Sequence, residues 1–536
     1  MIGPTAGGER GGSGERIWHR VWPSHLPRSL DYPGEPAWRL LERNLPRFAD
    51  RVALREIDHE SGSTGRTLTY EELWRAVRGA ATGLERVGVS SSTRVGYCLP
   101  NSAALVIGYY ATWVAGGAVV PMNPGARESE IEQHLTDAGV AVVVGPDGHA
   151  SEAVAQRLKL PFVSISEFQR MEALPPLTPI LGDSERDLAV LLYTGGTTGA
   201  PKGAMLSHRN IVVNTTQFAE WYAFAPGDEV SVCAIPMFHS GGMSGVMNVP
   251  LSAGATLLVF GRFSAAAVAK AVTLHRVTRL FGVPTMFIAL LNDEAGRAAD
   301  YSSLRACRTN AAPLPPSVKT AFDTLVGREA LVEGYGLTET SPLTHANPID
   351  RAKAGSIGVP LPDTDARIVD LEHGRDVGTG ESGELLIRGP QVMLGYWNRP
   401  EATAQAISDG WLRTGDVARM DGEGYFAIVD RLKDMINTAG FKVWPREVEE
   451  TLYAHPAVKM AAVVGVADGY RGEAVKAFVV LKENCRSVEA GELTAFCRDR
   501  LSGYKVPRLI ELRDALPVTT TGKLLRRTLR ESEESG

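Results

Sequence analysis

The sequence predicts an α/β protein in which a large N-terminal domain of helix-covered, mixed or parallel β-sheets precedes a small α+β C-terminal domain. The chain has 536 residues, more than one hydrophobic core supports, so we expect at least two domains. Short apolar runs alternate with helical patterns between residues 69 and 145, which is typical of parallel sheets covered by helices. The pattern changes near residue 430, where a unit of small-domain size begins.

Local patterns justify the individual elements. Thr69 and Glu72 stand in capping-box spacing at the start of a helix whose apolar residues recur at helical intervals. The following elements are, in order, a strand in "TRVGYCLP", a helix in "SAALVIGYYATWVAGG", a strand in "AVVPMNP", a helix in "RESEIEQHLTDAG" and a strand in "VAVVVG". In the C-terminal unit we expect a helix led by Pro445, two strands, a helix around residues 489–501 and a final segment, "RLIELRDALP".

These patterns divide the chain into three parts. Residues 1–30 are predicted to be a disordered leader, because their Gly-rich polar start lacks the apolar segment of a signal peptide. Residues 31–432 form the predicted N-terminal domain, and residues 433–536 form a mobile C-terminal domain. The short charged segment "VDRLKD" between them is the candidate hinge.

Composition excludes several classes of protein. The net charge is −6, and acidic and basic residues are interleaved, so we expect no nucleic-acid partner. Five scattered cysteines, none in CxxC spacing, argue against a disulfide scaffold or a zinc ribbon. Glycines interrupt the longest apolar runs, so no transmembrane segment is expected and we predict a cytoplasmic protein. The sequence leaves the oligomeric state open, a homodimer included.

The segment "YTGGTTGAPKG" indicates a phosphate-binding loop. It follows a buried strand, "LAVLLY", but it lacks the spacing of a Walker A motif or of a Rossmann fingerprint. Freed backbone amides, hydroxyl groups and one ammonium group can surround a polyphosphate. The residues that supply these groups are Thr194, Gly195, Gly196, Thr197, Thr198, Gly199 and Lys202.

The same loop resembles the phosphate-loop signature of the adenylate-forming superfamily, which includes acyl-CoA synthetases, aryl-CoA ligases, luciferases and the adenylation domains of peptide synthetases. Four further segments match its motifs in order, so that the resemblance extends from about residue 35 to residue 528. They are "EGYGLTET" (Glu333–Thr340), "WLRTGDVARMDGEGYFAIVDRLKDMI" (Trp411–Ile436), "GFKVWPREVE" (Gly440–Glu449) and "PVTTTGKLLRR" (Pro517–Arg527).

The resemblance implies an enzyme that uses ATP, Mg²⁺ and CoA, and it implies a role for each motif residue. The catalytic residues would be Lys523, which stabilises the first transition state, Thr338, which contacts phosphate, and Glu339, which holds the metal. Adenine would lie between Ala312 and the segment Glu333, Gly334, Tyr335 and Gly336, and the ribose would meet Asp416 and Arg431. The C-terminal domain would rotate about Lys433, and Gly440 and Lys442 would then line the CoA tunnel.

The acyl-binding residues are inferred from two other segments. "AIPMFHSGGMSGV" carries His239, Gly242 and Met243, with no acidic residue to hold an amino group, and "TNAAPLPP" places Asn310 and Ala311 beside the same pocket. The resemblance therefore predicts an AMP-forming ligase that joins a small-molecule carboxylic acid to CoA, with a medium- or long-chain fatty acid as the expected acid. The alternatives are an aryl acid, or transfer of the acyl group to a carrier protein. A luciferase-like oxygenase and a non-catalytic nucleotide sensor are less favoured.

Overall fold

The computed structural model describes residues 16–194, 201–482, 485, 487–519 and 524–534. The strands are β1 (Val52–Ile57), β2 (Thr64–Thr69), β3 (Arg94–Tyr97), β4 (Ala118–Pro121), β5 (Val142–Gly145), β6 (Phe162–Ser164), β7 (Leu188–Thr194), β8 (Lys202–Ser207), β9 (Val230–Cys233), β10 (Thr256–Phe260), β11 (Arg279–Gly282), β12 (Ala306–Thr309), β13 (Leu331–Gly336), β14 (Leu343–Ala346), β15 (Val359–Pro360), β16 (Asp365–Val369), β17 (Ser382–Arg388), β18 (Gly395–Tyr396), β19 (Ile407–Ser408), β20 (Trp411–Met420), β21 (Phe426–Arg431), β22 (Ile436–Thr438), β23 (Phe441–Val443), β24 (Val458–Asp468), β25 (Gly472–Leu481) and β26 (Leu509–Leu512).

The helices alternate with these strands. They are α1 (Arg39–Glu42), α2 (Leu45–Phe48), α3 (Tyr70–Arg86), α4 (Ala103–Val114), α5 (Glu128–Ala138), α6 (Ala150–Arg157), α7 (Ile165–Met171), α8 (His208–Trp221), α9 (Val249–Ser252), α10 (Ala265–Leu274), α11 (Pro284–Asn292), α12 (Glu294–Ala298), α13 (Pro316–Val326), α14 (Pro400–Ala406), α15 (Pro445–Tyr453), α16 (Ala490–Arg498) and α17 (Arg526–Glu534). A π-helix spans Gly241–Asn248, and 3₁₀-helices span Ile17–Val21, Thr338–Thr340, Ile349–Arg351 and Leu432–Asp434.

Two large mixed sheets form the N-terminal domain. Their strand orders are β18-β8-β7-β4-β3-β5-β6 and β15-β14-β13-β12-β11-β9-β10-β1-β2. Helix α4 contacts both sheets, through β4 and β1, and every one of its residues is buried. Burial on all sides explains why this segment is apolar all round rather than along one stripe. The predicted fold class is confirmed, and the capping box at Thr69 and Glu72 is present.

Parallel strands bring distant segments to one edge of the nine-stranded sheet. Strands β9, β11, β12 and β13 are parallel neighbours, so the residues that follow their carboxyl ends lie side by side. Ligands of open α/β sheets bind at such an edge. The segment that begins at Ala234, Gly282, Asn310 and the "EGYG" segment all lie there, in four successive positions of the sheet.

Two smaller sheets complete the chain. A five-stranded sheet of β16, β17, β19, β20 and β21 belongs to the N-terminal domain, and β22–β26 form the sheet of the C-terminal unit, with α15 and α17 packed on β24. The two units meet where Arg446 donates from its backbone N–H to Asp430 (2.7 Å) and from its side chain to the carbonyl of Ile428 (2.7 Å). Among the described residues, no helix is long and apolar enough to cross a membrane.

The start of the described chain differs from the predicted leader. Residues 16–30 pack on the N-terminal domain instead of forming part of a disordered segment, because Trp18 is buried against Phe426 with ring centroids 5.7 Å apart. Arg16 also pairs with Asp365 at 3.0 Å. The prediction of a leader relied on the polar composition of the first residues and did not take the contact of Trp18 into account.

Candidate active site

The predicted phosphate loop connects two antiparallel strands. Thr194 ends β7 directly opposite Lys202, which begins β8, and the Thr194 hydroxyl donates to the Lys202 carbonyl at 3.3 Å. Lys202 is exposed, and its ammonium group lies 5.1 Å from the ring centroid of Tyr396. The remaining predicted loop residues, Gly195, Gly196, Thr197, Thr198 and Gly199, lie outside the described residues.

Glu339 lies beside this hairpin, in the 3₁₀-helix Thr338–Thr340. Its carboxylate accepts a hydrogen bond from the Tyr396 hydroxyl at 2.7 Å, and its backbone carbonyl accepts one from the amide of Met393 at 2.8 Å. Burial, and then the carboxylate of Glu339, raises the pKa of Tyr396, so the phenol stays protonated and donates. Tyr396 thus connects the two predicted charged groups, Lys202 and Glu339.

Sequence reasoning missed Tyr396. The residue belongs to β18, a two-residue strand paired with β8, and nothing in its local pattern separates it from other tyrosines. Its position follows from the pairing of β18 with the hairpin, which only the folded chain reveals.

A second cluster forms around Asp416, which is 2% exposed. The Tyr335 hydroxyl donates to Asp416 Oδ2 at 2.6 Å, and Arg431 Nε lies 2.9 Å from Oδ1. Register explains the pairing, because Asp416 and Arg431 stand opposite each other on β20 and β21. Asp416 raises the pKa of Arg431 more than any other group, and burial opposes that rise. Glu339 adds to the rise, so the charges of the two clusters interact.

The "EGYG" segment occupies the end of β13. Glu333 is buried, and burial raises its pKa to about 7, with Arg446 opposing the shift. The backbone of Gly336 packs so closely on the residue before β14 that a Cβ atom on Gly336 would lie 1.8 Å from the carbonyl oxygen of Pro342. Gly334 is buried between β14 and Arg308. Ala312 follows β12, the neighbour of β13, and it is partly exposed.

The predicted acyl residues come together at the adjoining edge. Gly242 and Met243 are buried in the π-helix, and a Cβ on Gly242 would lie 1.9 Å from the carbonyl oxygen of Pro236. His239 is half-buried, and its Nε2 has no hydrogen-bond partner among the described residues. Burial lowers the pKa of His239 to about 4, so the ring is neutral. The amide of Asn310 donates to the Gly282 carbonyl at 3.2 Å, whereas Ala311 is exposed with a φ of 70°.

The predicted residues of the C-terminal unit begin with Lys433, whose charge interacts with those of Arg431 and Asp416 in the second cluster. Lys433 lies in the 3₁₀-helix that directly follows β21, and Gly440 and Lys442 are exposed on the β22–β23 hairpin. Gly440 has a φ of 84°, which suits the turn of that hairpin. Lys523, the predicted catalytic lysine, lies outside the described residues.

The donor set fits a magnesium ion shared with phosphate. Within the described ranges, no cluster of three or more His, Cys, Asp or Glu side chains could enclose a metal. Mg²⁺ commonly takes only one or two protein carboxylates and completes its shell with water and substrate phosphate. Glu339, which accepts a hydrogen bond from Tyr396 beside the predicted phosphate hairpin, would supply such a carboxylate.

Comparison with known proteins agrees with this geometry. Residues 41–397 match the AMP-binding enzyme family, and residues 447–523 match the AMP-binding enzyme C-terminal domain. A long-chain-fatty-acid–CoA ligase from Bacillus subtilis (strain 168) is 40% identical, with 97% of this chain and 98% of that protein covered. A feruloyl-CoA synthase from an Amycolatopsis species is 41% identical, with 87% and 94% covered.

A solved structure gives the same result. The ATP-bound crystal structure of MatB from Rhodopseudomonas palustris superposes with a TM-score of 0.85 and 29% identity, covering 93% of this chain and 99% of that one. The fold and the site therefore define an adenylate-forming enzyme. The chain belongs to the AMP-binding enzyme family, and within that family it is an acyl-CoA ligase.

Proposed function

We propose that this enzyme joins a carboxylic acid to CoA in two steps at one site. In the first step, an oxygen of the acid attacks the α-phosphorus of ATP, the bond to pyrophosphate breaks, and an acyl-adenylate forms. In the second step, the CoA thiolate attacks the acyl carbon, and the bond to AMP breaks. The proposal is supported by two sets of contacts, those of Tyr396 with Lys202 and Glu339 and that of Asp416 with Tyr335. Tyr335 ends β13, at the sheet edge where the predicted acyl segments also lie.

Each cluster has a part in this chemistry. The hairpin at Thr194 and Lys202 holds the outer phosphates, and Glu339 would hold Mg²⁺, which would neutralise charge on the leaving pyrophosphate. The carboxylate of Asp416 accepts hydrogen bonds from the ribose hydroxyls, while Arg431, 2.9 Å away, orients that carboxylate. Lys523 stabilises the charge that develops between the acid and the α-phosphate.

The second step requires a different arrangement of the C-terminal unit. Lys433 directly follows β21, so a change in its backbone angles turns all of β22–β26 as one body. That rotation withdraws Lys523 and brings Gly440 and Lys442, which are exposed in this structure, to the site for CoA. An acyl carrier protein is the alternative acceptor.

The identity of the acid is the open part of the proposal. The relatives that act on long-chain fatty acid and on ferulate are equally similar in sequence, so similarity supports both a fatty and an aryl acid. The geometry favours a compact acid, because the side chain of Arg308, 1% exposed, fills the space behind Asn310 and Gly245. A long-chain fatty acid is the second candidate, supported by the similarity over 97% of the chain.

The partial reactions of two variants test the assignment. Lys523→Ala should lose acid-dependent pyrophosphate release yet convert preformed acyl-adenylate and CoA to thioester at nearly the wild-type rate. Lys442→Glu should impair the second reaction more than the first. Lys459→Ala, which removes an exposed ammonium group from β24, is the matched control and should leave both reactions unchanged. Equal loss of both reactions in Lys523→Ala would refute its proposed role, and a requirement for carrier protein with indifference to CoA would refute the acceptor.

A further inference from the structure

Arg308 is a cation buried in the interior beside the acyl site. It belongs to β12 and is 1% exposed, and its guanidinium carbon lies 4.3 Å from the ring centroid of Phe218 and 5.3 Å from that of Phe281. These rings attract a cation through their faces, but they offer no oxygen to its N–H groups.

The hydrogen-bonding capacity of this guanidinium is largely unused. Among the described residues, Nε and Nη1 have no partner that meets hydrogen-bond geometry, and Nη2 donates to the amide oxygen of Asn310 at 3.3 Å. Burial lowers the pKa of Arg308, and an interaction with the Tyr222 hydroxyl opposes that shift. In the described part of the chain, no carboxylate forms an ion pair with Arg308. A buried charge is ordinarily paired, because its desolvation is costly.

The neighbouring strand provides an internal comparison. Arg279 on β11 is buried to a similar degree, 3% exposed, and it pairs with Glu229 at 2.6 Å. It also donates to the backbone carbonyl of Tyr222 at 2.8 Å. Among the described residues, Arg279 thus has a carboxylate partner and Arg308 has none.

The guanidinium of Arg308 is close to the predicted acyl residues. Arg308 Nη2 lies 3.2 Å from the position that a Cβ on Gly245 of the π-helix would occupy. Its partner Asn310 is anchored to the Gly282 carbonyl at 3.2 Å, and the amide of Asn310 lies 3.4 Å from the Cβ position of Gly241. His239, two residues before Gly241, adds a buried Nε2 that also lacks a protein partner.

We propose that Arg308 binds a carboxylate at the far end of the acid, so that the substrate of this ligase is a compact dicarboxylic acid. Arginine binds a carboxylate through two parallel hydrogen bonds, which would satisfy the N–H groups that the protein leaves unpaired. The neutral Nε2 of His239 and the amide of Asn310 are further hydrogen-bonding groups of this subsite. The inference rests on the proposed ligase function, because it concerns the same acyl site.

Matched acids test the inference. The α,ω-dicarboxylates from malonate to suberate are compared with monocarboxylates of equal carbon number, each as CoA-dependent AMP formation. Para-coumarate and cinnamate form a further pair, which differs only by the phenolic hydroxyl group. We expect at least one dicarboxylate to exceed its monocarboxylate in kcat/KM by about 10- to 100-fold, the range for hydrogen bonds to a charged group.

Variants assign the preference to the guanidinium. Arg308→Met should abolish the preference while the monocarboxylate keeps its activity or gains, and it should raise the melting temperature, since an unpaired buried charge is removed. Arg308→Lys, which keeps the charge without the planar fork, should retain a smaller preference and covers the case in which Arg308→Met fails to fold. Arg305→Met alters an exposed arginine on the preceding loop and is the control.

Three results would overturn the inference: no dicarboxylate is preferred, the preference survives in Arg308→Met, or only the phenol pair responds to that substitution. Failure of every acid to support AMP formation would instead overturn the proposed function. Thioester formation from monocarboxylates without any dicarboxylate preference would overturn the inference alone.

Discussion

Replacing Tyr396 with phenylalanine isolates one hydrogen bond of the metal and phosphate site. The substitution removes the hydroxyl group that donates to Glu339 Oε1 at 2.7 Å and leaves the aromatic ring 5.1 Å from the Lys202 ammonium group. The carboxylate of Glu339 then loses the contact that orients it toward the phosphate hairpin. The prediction is therefore specific to the first half-reaction.

The expected magnitude follows from the type of bond. A hydrogen bond to a charged group contributes about 1.5–3 kcal/mol, and Tyr396 is only half-buried, so water replaces part of the interaction. The lower end of the range corresponds to about a tenfold loss of kcat/KM. We also expect a higher Mg²⁺ concentration at half-maximal rate, because the carboxylate proposed to hold the metal is no longer oriented.

The assay measures acid-dependent pyrophosphate release without CoA over a titration of Mg²⁺. The matched control is Tyr32→Phe, because the Tyr32 hydroxyl donates to Asp363 at the same distance, 2.7 Å, outside the site. Unchanged kinetics and Mg²⁺ dependence in Tyr396→Phe, or an equal loss in Tyr32→Phe, would refute the reasoning.

Three further predictions concern stability. Burial raises the pKa of Glu333 from 4.5 to about 7, so the free energy of unfolding of the wild type falls as the pH rises through that window. The free energy of unfolding of Glu333→Gln should therefore exceed that of the wild type by about 3 kcal/mol above pH 7, and the two should converge below pH 4.5. Denaturant unfolding at a series of pH values measures this difference. Arg526→Met removes the arginine that pairs with buried Glu449 and one of the two arginines that pair with Asp434, and it should cost about 3 kcal/mol in the same assay. Arg527→Met, on the exposed face of the same helix, should change little. Gly242→Ala forces a Cβ against Pro236 and should cost about 2 kcal/mol or more, read as a lower melting temperature together with loss of acid-dependent activity. A flat pH difference for Glu333→Gln, equal effects at the two arginines, or a wild-type melting temperature for Gly242→Ala would contradict the respective prediction.

The sequence was sufficient for features that depend on local chemistry. Periodicity located the buried helix α4 and the strands around it, and the spacing of Thr69 and Glu72 predicted the cap of α3. The order of the motifs identified the family, since several short patterns in sequence are far more specific than any one of them. Composition alone did not predict the packing of residues 16–30, because the buried side chain of Trp18 holds a segment that was predicted to be a disordered leader.

Contacts between distant segments required the fold. Tyr396 meets Glu339 across 57 positions of sequence, and Tyr335 meets Asp416 across 81, through strand pairings that no local pattern encodes. Nothing in the sequence separates Arg308 from the other arginines. In the structure both Arg308 and Arg279 are buried, but among the described residues only Arg279 has a carboxylate partner. Such differences come from tertiary packing, which sets the surroundings of a side chain independently of its neighbours in the chain.

The most direct test of the two-step account is a single-turnover experiment with enzyme in excess over ATP. Acid, ATP and Mg²⁺ are mixed without CoA, the reaction is quenched, and CoA is added to a parallel sample. The account predicts one pyrophosphate and one bound acyl-adenylate per ATP consumed before CoA is added, followed by conversion of that adenylate to acyl-CoA and AMP. Release of ADP and phosphate, or an adenylate that CoA does not discharge, would contradict it.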